Sequence, residues 1–321
     1  MRSLLALWLC LLATVAAAQT AFDPLAVAVG ARPLALGGAF VAVADDANTL
    51  FNNPAGLGEI EKIKFTSMGG TLLEDVSYTA LGGSMSFGDK LSVGAGYAGA
   101  FTSDITLRDW RGVLTGSASY GNSVFFVALG KKFTDRLSLG LTLKYYSTTG
   151  AAADADNGHG LNADLGLLQS GWNWLKLGLV GQNIFGGGRI TYQNGASEPL
   201  PLTIKAGLKA NLTGGRFDSA FLAPVETSLV ADAVFSPASP AATQLRGGIE
   251  FSPHPYLTLR VGADGTNPTA GLGLKVAGVG FNYAYHSYSE PSGSAAYFAL
   301  SYDEQDFPPP EEVPDVYLAK K

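Results

Sequence analysis

Few side chains of this sequence have the type and spacing that catalysis or metal binding requires. The histidines, His159, His254 and His286, lie far apart in the chain, and the single cysteine is Cys10. No Ser/His pairing for nucleophilic catalysis and no grouping with the spacing of metal ligands stands out among them. The sequence therefore predicts a protein that is not an enzyme, with no catalytic residues and no metal site.

Two short patterns resemble ligand-binding loops. Residues 94–99, GAGYAG, have the glycine spacing of a dinucleotide-binding turn, but that turn needs a strand before it and a helix after it. Here the pattern falls within a strand of alternating side chains. We therefore interpret these residues as small residues that face the lumen of a barrel, and not as a cofactor site. Residues 154–158, DADNG, resemble the start of a calcium loop but lack its later glutamate. A solvated loop is the favoured interpretation and a weak cation site the alternative, so no cofactor is predicted.

A larger set of charged and polar residues alternates with apolar residues along the chain. In a barrel within a membrane these side chains must point inward, because a lysine or arginine facing lipid at the midplane costs about 2–4 kcal/mol. The favoured interpretation is a salt-bridged interior that holds the barrel rigid, and the alternative is a polar channel or substrate path. The predicted inward-facing residues are Lys144, Asp164, Lys176, Lys205, Lys209, Asp232, Arg246, Glu250, Arg260, Lys275 and His286.

The elements that would position these residues are strands. From residue 63 onward apolar residues recur with period two, for example at Leu139, Leu141 and Leu143. Charged residues make up only 15% of the sequence, against about 25% in soluble domains. The sequence therefore predicts an all-β fold, a transmembrane antiparallel β-barrel, although a soluble sandwich would also alternate. The candidate strands, about fourteen in number, lie at residues 63–72, 75–87, 90–101, 122–133, 135–149, 159–169, 174–184, 200–211, 226–236, 243–252, 255–264, 268–276, 277–288 and 293–304.

The predicted domain organisation has four parts. Residues 1–18 combine a charged start, an apolar run and small residues before a cleavage site, which is typical of a secretory signal peptide. Residues 19–60 form an N-terminal hatch or plug segment, residues 61–304 the barrel, and residues 305–321 a proline-rich, acidic periplasmic tail. The net charge of −6 argues against nucleic acid as a partner.

Connection lengths predict how the barrel is oriented. If the first strand runs outward, the inner turns, such as residues 88–89, are tight. The outer connections at residues 102–121, 150–158 and 185–199 are long. Short periplasmic turns and longer outer loops are the expected asymmetry. The connection at residues 212–225 is long on the predicted inner side, and the sequence offers no account of it.

Residues 30–58 differ in composition from the strands that follow. Small apolar residues from 39 to 51 predict a helix that is interrupted by two aspartates and ended by a proline, which disfavours helix before it. A compact helix of this kind fits a narrow lumen, where the aspartates need inward-facing lysines or arginines as partners. The predicted plug residues are Gly37, Gly38, Asp45, Asp46, Asn53, Pro54, Ala55 and Gly56.

The stretch GGAFVAVADDAN at residues 37–48, followed by NPAGL at residues 53–57, resembles the N-terminal segment of PorV/PorQ-type proteins in the FadL-like outer-membrane superfamily. The resemblance implies a plugged barrel in the outer membrane of a Gram-negative-type bacterium, in contact with its lipid. It implies transport of hydrophobic small molecules, with a lateral gap expected near residues 82–83 or 94–96. The alternative is a PorV-like partner of a type IX secretion system, which would bind secretion-system proteins.

Overall fold

The computed structural model describes residues 21–43, 45–72, 75–88, 90–150, 157–172, 174–213, 226–238, 243–289 and 293–304. The predicted signal peptide and the predicted tail lie outside these residues, as does most of the connection at 212–225.

The strands form one antiparallel sheet that closes on itself. Strand β1 pairs with both β2 and β16, and β5 pairs with both β4 and β6, so the ring has no free edge. Strands β8 and β9 form an extra hairpin beside the ring, and the predicted antiparallel barrel of fourteen strands is confirmed. The strands are β1 Lys64–Leu72, β2 Val76–Phe87, β3 Leu91–Arg108, β4 Leu114–Thr134, β5 Leu137–Thr149, β6 Gly158–Gln169, β7 Leu175–Gln182, β8 Arg189–Tyr192, β9 Ser197–Pro199, β10 Thr203–Thr213, β11 Glu226–Phe235, β12 Gln244–His254, β13 Leu257–Asp264, β14 Asn267–Val276, β15 Val279–Tyr288 and β16 Gly293–Asp303.

Side chains alternate between the two faces of the wall. In β5, Leu141 and Leu143 are 38% and 49% exposed on the outer face, whereas Thr142 and Lys144 are 2% and 1% exposed on the inner face. The other strands carry exposed leucine, valine, isoleucine and phenylalanine on their outer faces in the same way. A continuous apolar exterior of this kind is the pattern of a barrel that is solvated by lipid.

The two ends of the barrel differ. At the end that we call the turn end, tight turns such as Asp135–Arg136 join the strands. At the opposite, loop end, β3 and β4 continue past the barrel as a two-stranded ribbon, so the prediction of a loop at 102–121 is wrong. The ribbon forms because Asp104, with φ of 59°, supplies a bulge, after which Ile105 pairs with Ala118. Residues 185–199, also predicted as a loop, contain the β8–β9 hairpin.

The N-terminal part of the chain has short helices rather than one long helix. Helix α1 covers Ala31–Ala35, helix α2 covers Thr49–Asn52, and a 3-10 helix covers Pro54–Glu59. Of the interrupted helix predicted from 39 to 51, the part after the aspartates is helical only at residues 49–51, in α2, and the part before them, at 39–43, is not helical. Gly37 and Gly38, with φ of 68° and 80°, end α1 and turn the chain out of the helical direction just before residue 39. None of the helices within the described ranges is long and apolar enough to cross a membrane.

Candidate functional site

Residues 21–60, which we call the inner segment, occupy the interior of the barrel. Most of their side chains are buried, and they form one apolar cluster with inward-facing residues of the strands. The interior is therefore filled by the chain's own N-terminal part. The cluster joins Leu25, Val29, Leu34, Leu50, Phe51 and Leu57 of the inner segment to Met68, Tyr78, Val124, Phe126, Tyr146 and Tyr297 of the wall.

The inward faces of β16 and β1–β4 are mostly apolar, and we call them the apolar half. Phe51 packs edge-to-face on Phe126 with ring centroids 5.3 Å apart. Leu50 and Phe51 lie over Gly82, and Leu50 also lies over Gly94, where an added Cβ atom would overlap these side chains. Glycine at these positions therefore makes room for the inner segment.

A lateral gap at residues 82–83 or 94–96 is not found. Strands β2 and β3 pair without a register shift from Ser77 and Phe101 to Phe87 and Leu91. The glycines were expected to weaken the wall, but the closed ladder keeps its backbone hydrogen bonds. The inner segment takes the space of the missing side chains at Gly82 and Gly94, whereas wall residues take it at the other two glycines, Phe65 at Gly83 and Phe126 at Gly96.

The outer face of the same strands carries an apolar groove with a volume of about 810 Å³. Gly83 and Ala95 contribute to its lining, and Phe65, Met85 and Val127 are among the larger residues around it. The groove lies on the face of the wall that apolar residues cover, so it can hold an apolar molecule against the barrel.

The inward faces of β5–β7 and β10–β15 carry most of the buried charge, and we call them the polar half. The structure places every predicted inward-facing residue on this half, but not in one environment. Lys176 is half-buried, and Lys275 is half-exposed at the turn end, paired with Asp303. Lys209, Arg246 and Glu250 have side chains that are 9–12% exposed. Those with at most 8% exposure are Lys144, Asp164, Lys205, Asp232, Arg260 and His286.

At the turn end, charged groups join the inner segment to the wall. Arg32 of α1 pairs with Asp45 at 2.5 Å, with Asp46 at 2.8 Å and with Glu250 of β12 at 2.7 Å. Lys209 of β10 pairs with Asp45 at 2.7 Å. We call these residues, together with Arg260 on Glu250, the turn-end network. They border a polar cavity of about 430 Å³, although Lys209 does not line it.

Within the turn-end network, Arg32 is a residue that the sequence did not predict, since Asp45 and Asp46 were expected to pair with wall residues alone. The signal available was a lone arginine among small apolar residues. Burial by itself would raise the pKa of Asp45, but the charges of Arg32 and Lys209 outweigh it and hold that pKa well below its usual value. Burial would lower the pKa of Arg32, whereas Asp45, Glu250 and Asp46 raise it above its ordinary value. Arg32 and Asp45 therefore form a charged pair at neutral pH.

The backbone of the inner segment is held by polar groups of the wall. The carboxylate of Asp232 accepts from the N–H groups of Phe40 at 2.7 Å and Val41 at 3.0 Å. These bonds replace helical ones, which is a second reason why no helix forms at 39–43. The N–H of Gly37 donates to the hydroxyl of Thr269 at 3.0 Å, and Gly38 lies against the side chain of Arg246.

The remaining predicted plug residues lie together beneath β5 and β6. Asn53 donates to the carbonyl oxygens of Val41 at 2.8 Å and Leu167 at 3.2 Å. Its side-chain oxygen accepts from the N–H of Ala55 at 3.1 Å and caps the 3-10 helix. Pro54 and Ala55 contact Gly140 and Gly166 of the wall, and the N–H of Gly56 donates to the carbonyl of Asn53 at 3.0 Å.

A second polar group joins the inner segment to the wall nearer the loop end. The ammonium of Lys144 contacts Asp164 at 2.7 Å and donates to the side-chain oxygen of Asn183 at 2.6 Å. The hydroxyl of Tyr146 donates to Asp23 at 2.9 Å, and Asn183 donates to the same oxygen of Asp23 at 3.1 Å. We call these five residues the polar node. Sequence reasoning missed Asp23 and Asn183, which lie outside the strands.

The wall beside the polar node is incompletely paired. Strand β6 pairs with β7 only from Leu165 to Gln169, and β8 pairs only with Gly158 and His159. Between them, at β6 residues 160–164, the chain after β7 runs alongside as residues 183–188. We call this stretch of wall the seam.

Two side chains and one backbone bond close the seam within the described ranges. The N–H of Ile184 donates to the carbonyl of Ala163 at 2.9 Å. The N–H of Asn183 donates to the carboxylate of Asp164 at 2.9 Å, and the N–H of Phe185 donates to the side-chain oxygen of Asn162 at 3.0 Å. The seam therefore depends on side chains where the other strands have a ladder.

No family model matches the sequence, and no curated protein matches it. Solved structures do resemble the fold. The toluene transporter TbuX of Ralstonia pickettii has a TM-score of 0.55 and 15% identity, covering 86% of this chain and 98% of that one. The toluene transporter TodX of P. putida has a TM-score of 0.56 and 15% identity, covering 87% of this chain and 99% of that one. A FadL homologue of Pseudomonas aeruginosa has a TM-score of 0.51 and 11% identity, covering 85% of this chain and 98% of that one. At these identities the likeness shows the fold alone, a barrel like those of the two toluene transporters and of the FadL homologue.

Proposed function

We propose that this protein lies in the outer membrane of a Gram-negative-type bacterium and transports hydrophobic small molecules, with the inner segment as its plug. The observation that carries the proposal is the inner segment, which fills the barrel and presents Leu50 and Phe51 to an apolar wall. An apolar molecule that enters from the loop end would replace the contacts that Leu50 and Phe51 make with the wall by apolar contacts of its own. The shared fold with transporters of toluene supports the same class of substrate.

The charge distribution favours a sideways exit. The turn end is bordered by the ion pairs of Arg32, Asp45 and Glu250, and apolar molecules gain nothing by entering a charged, hydrated cavity. The seam between β6 and residues 183–188 has fewer backbone bonds than the rest of the wall and opens on the lipid side. We infer that the seam is the exit.

Uptake of radiolabelled toluene in cells tests the proposal. The host needs an intact lipopolysaccharide layer and no hydrocarbon channel of its own, because plain bilayers do not exclude toluene. Cells that make the protein should take up toluene several-fold faster than cells that do not, while uptake of a polar sugar stays unchanged. Equal toluene uptake would overturn the proposal, and a parallel rise in sugar uptake would indicate a leak instead of transport.

The type IX secretion partner predicted from the PorV/PorQ resemblance is a second candidate. The β3–β4 ribbon favours it, since a two-stranded hairpin is marginally stable alone and its tip exposes Trp110 at 86%. If the ribbon binds secretion-system proteins, removing residues 105–118 should abolish their co-purification and leave toluene uptake intact. Loss of uptake without loss of co-purification would assign the ribbon to transport.

A further inference from the structure

Asp23 connects the beginning of the inner segment to both sides of the seam. One of its carboxylate oxygens accepts from Tyr146 and from Asn183 and lies 4.0 Å from the ammonium of Lys144. Tyr146 and Lys144 belong to β5, next to β6, whereas Asn183 belongs to the chain that follows β7. A single side chain of the inner segment therefore contacts Asn183, which helps to close the seam, and lies beside Lys144, the partner of the seam residue Asp164.

Asn183 is held in an unusual backbone conformation by these contacts. Its φ of 57° is in the left-handed region, which a residue other than glycine occupies only when its surroundings favour it. Its side-chain oxygen accepts from Lys144 and lies 3.0 Å from the hydroxyl of Tyr146, which shares its one proton between Asn183 and Asp23, and its side-chain nitrogen donates to Asp23. Its N–H at the same time donates to Asp164 across the seam. The geometry at Asn183 thus sets both the seam bond and the attachment of the inner segment.

The charges of the node explain why its parts move together. The side chain of Lys144 has no exposed area, and a buried ammonium needs anionic partners. Asp164 and Asp23 supply them, while Asp164 also accepts the seam bond from Asn183. When Asp23 moves away, only Asp164 and Asn183 remain to stabilise the buried ammonium of Lys144. Because the same two residues form a hydrogen bond across the seam, a stronger interaction with Lys144 weakens that bond.

We propose that the polar node is a latch that couples the inner segment to the seam, so that withdrawal of Asp23 loosens the wall between β6 and residues 183–188. This inference rests on the proposed function, because a loosened seam serves transport only if apolar molecules leave there. The latch itself is a property of the wall and can be measured without any substrate.

Hydrogen exchange of the full-length protein in detergent micelles tests the latch. In Asp23→Ala the amides of Asn183 and Ile184 should exchange about tenfold faster, the change expected when one charge-assisted hydrogen bond is lost. The fully paired β2–β3 ladder should exchange as in the wild type. Asn183→Gly, which keeps the left-handed backbone but removes the side chain, should accelerate Ile184 similarly.

Two matched controls separate the latch from general loosening. Tyr78→Phe removes a bond of 2.7 Å to the carbonyl of Pro24, next to Asp23, without touching the node. Asp45→Ala removes another carboxylate of the inner segment, at the turn end. Neither should accelerate exchange at Asn183 and Ile184 to an extent comparable with Asp23→Ala. Acceleration in these controls equal to that in Asp23→Ala would overturn the latch.

Folding of each variant, exchange at the seam and transport are measured in separate experiments. Heat-modifiable gel mobility reports whether each variant is a folded barrel, and the milder Asp23→Asn replaces Asp23→Ala if that variant does not fold. Unchanged exchange in a folded Asp23 variant overturns the latch whatever the uptake. Faster exchange at the seam together with a wild-type protein that takes up no toluene supports the latch and contradicts the proposed transport function.

Discussion

The two halves of the barrel interior hold the inner segment by different physical means. In the apolar half, Leu50 and Phe51 lie on glycines and on Phe126, and the contacts are hydrocarbon on hydrocarbon. In the polar half, Glu250 forms an ion pair with Arg32 of the segment, and Asp232 accepts a hydrogen bond from the backbone N–H of Phe40. Apolar contacts are non-directional and depend on area, whereas charged contacts demand particular partners at particular distances.

The difference suggests a division of labour. The apolar half supplies most of the attraction that keeps the segment inside, since burying a large side chain contributes roughly 1.5–3 kcal/mol. The polar half determines where the segment lies, because a displaced Arg32 or Asp232 would leave a buried charge without a partner. A segment held in this way can be moved by breaking polar contacts while it keeps apolar cover.

The largest expected effect comes from removing the contacts of both halves. Deleting residues 19–52 should leave a barrel that folds but conducts small polar solutes, because the strands carry their own ladder and the interior loses its filling. Conductance in planar bilayers measures this. Failure to assemble would mean that the segment is part of the folding core, and unchanged conductance would mean that it is not a plug.

A smaller effect is expected from weakening the apolar half alone. Phe51→Ala should lower the free energy of unfolding by about 3–5 kcal/mol, the usual cost of removing a buried phenylalanine ring. The matched control is Leu139→Ala. The side chain of Leu139 is 36% exposed on the outer face, where lipid fills the space that the substitution leaves, so the loss should be smaller. Urea unfolding in lipid vesicles compares them, and equal losses would contradict the proposed role of the apolar half.

The smallest effect is expected from the polar half at the turn end. The pKa of Asp45 is lowered in the folded protein, so its contribution is present above its unfolded pKa of about 3.9 and is lost as the pH falls through the folded value. The part of channel opening that Asp45 controls, measured as conductance in planar bilayers, should therefore be constant from about pH 8 to about pH 5. It should rise only below about pH 4, by at most about fivefold because Asp45 is partly exposed.

Asp45→Asn is the matched variant for that measurement. It keeps the size of the side chain but removes the charge that faces Arg32 and Lys209, with Asp46, Glu250 and Arg260 as the neighbouring charges. Its opening should be raised slightly at every pH and should depend less on acid than that of the wild type. A steep pH dependence between about pH 5 and pH 8 in the wild type would show that another group controls the segment.

Much of the barrel follows from the sequence because its determinants are local. Alternation along β5 places Leu141 outside and Lys144 inside without any knowledge of the neighbours, since successive side chains of a strand point to opposite faces. The proline at residue 54 likewise marks the end of α2, because its constraints act on its immediate neighbours. The ribbon was misread since a bulge at Asp104 shifts the alternation by one residue.

The contacts of the inner segment were decided only by tertiary structure. Asp23 and Asn183 are separated by 160 residues, and nothing in the local pattern of either indicates that they bond to each other. From the sequence, the glycines at 82 and 94 could either weaken a strand or leave space for a neighbouring side chain. The position of Leu50 over both glycines shows that they leave space. Period and turn chemistry thus determine the wall from the sequence, whereas partners across the lumen depend on how the closed ring brings distant residues together.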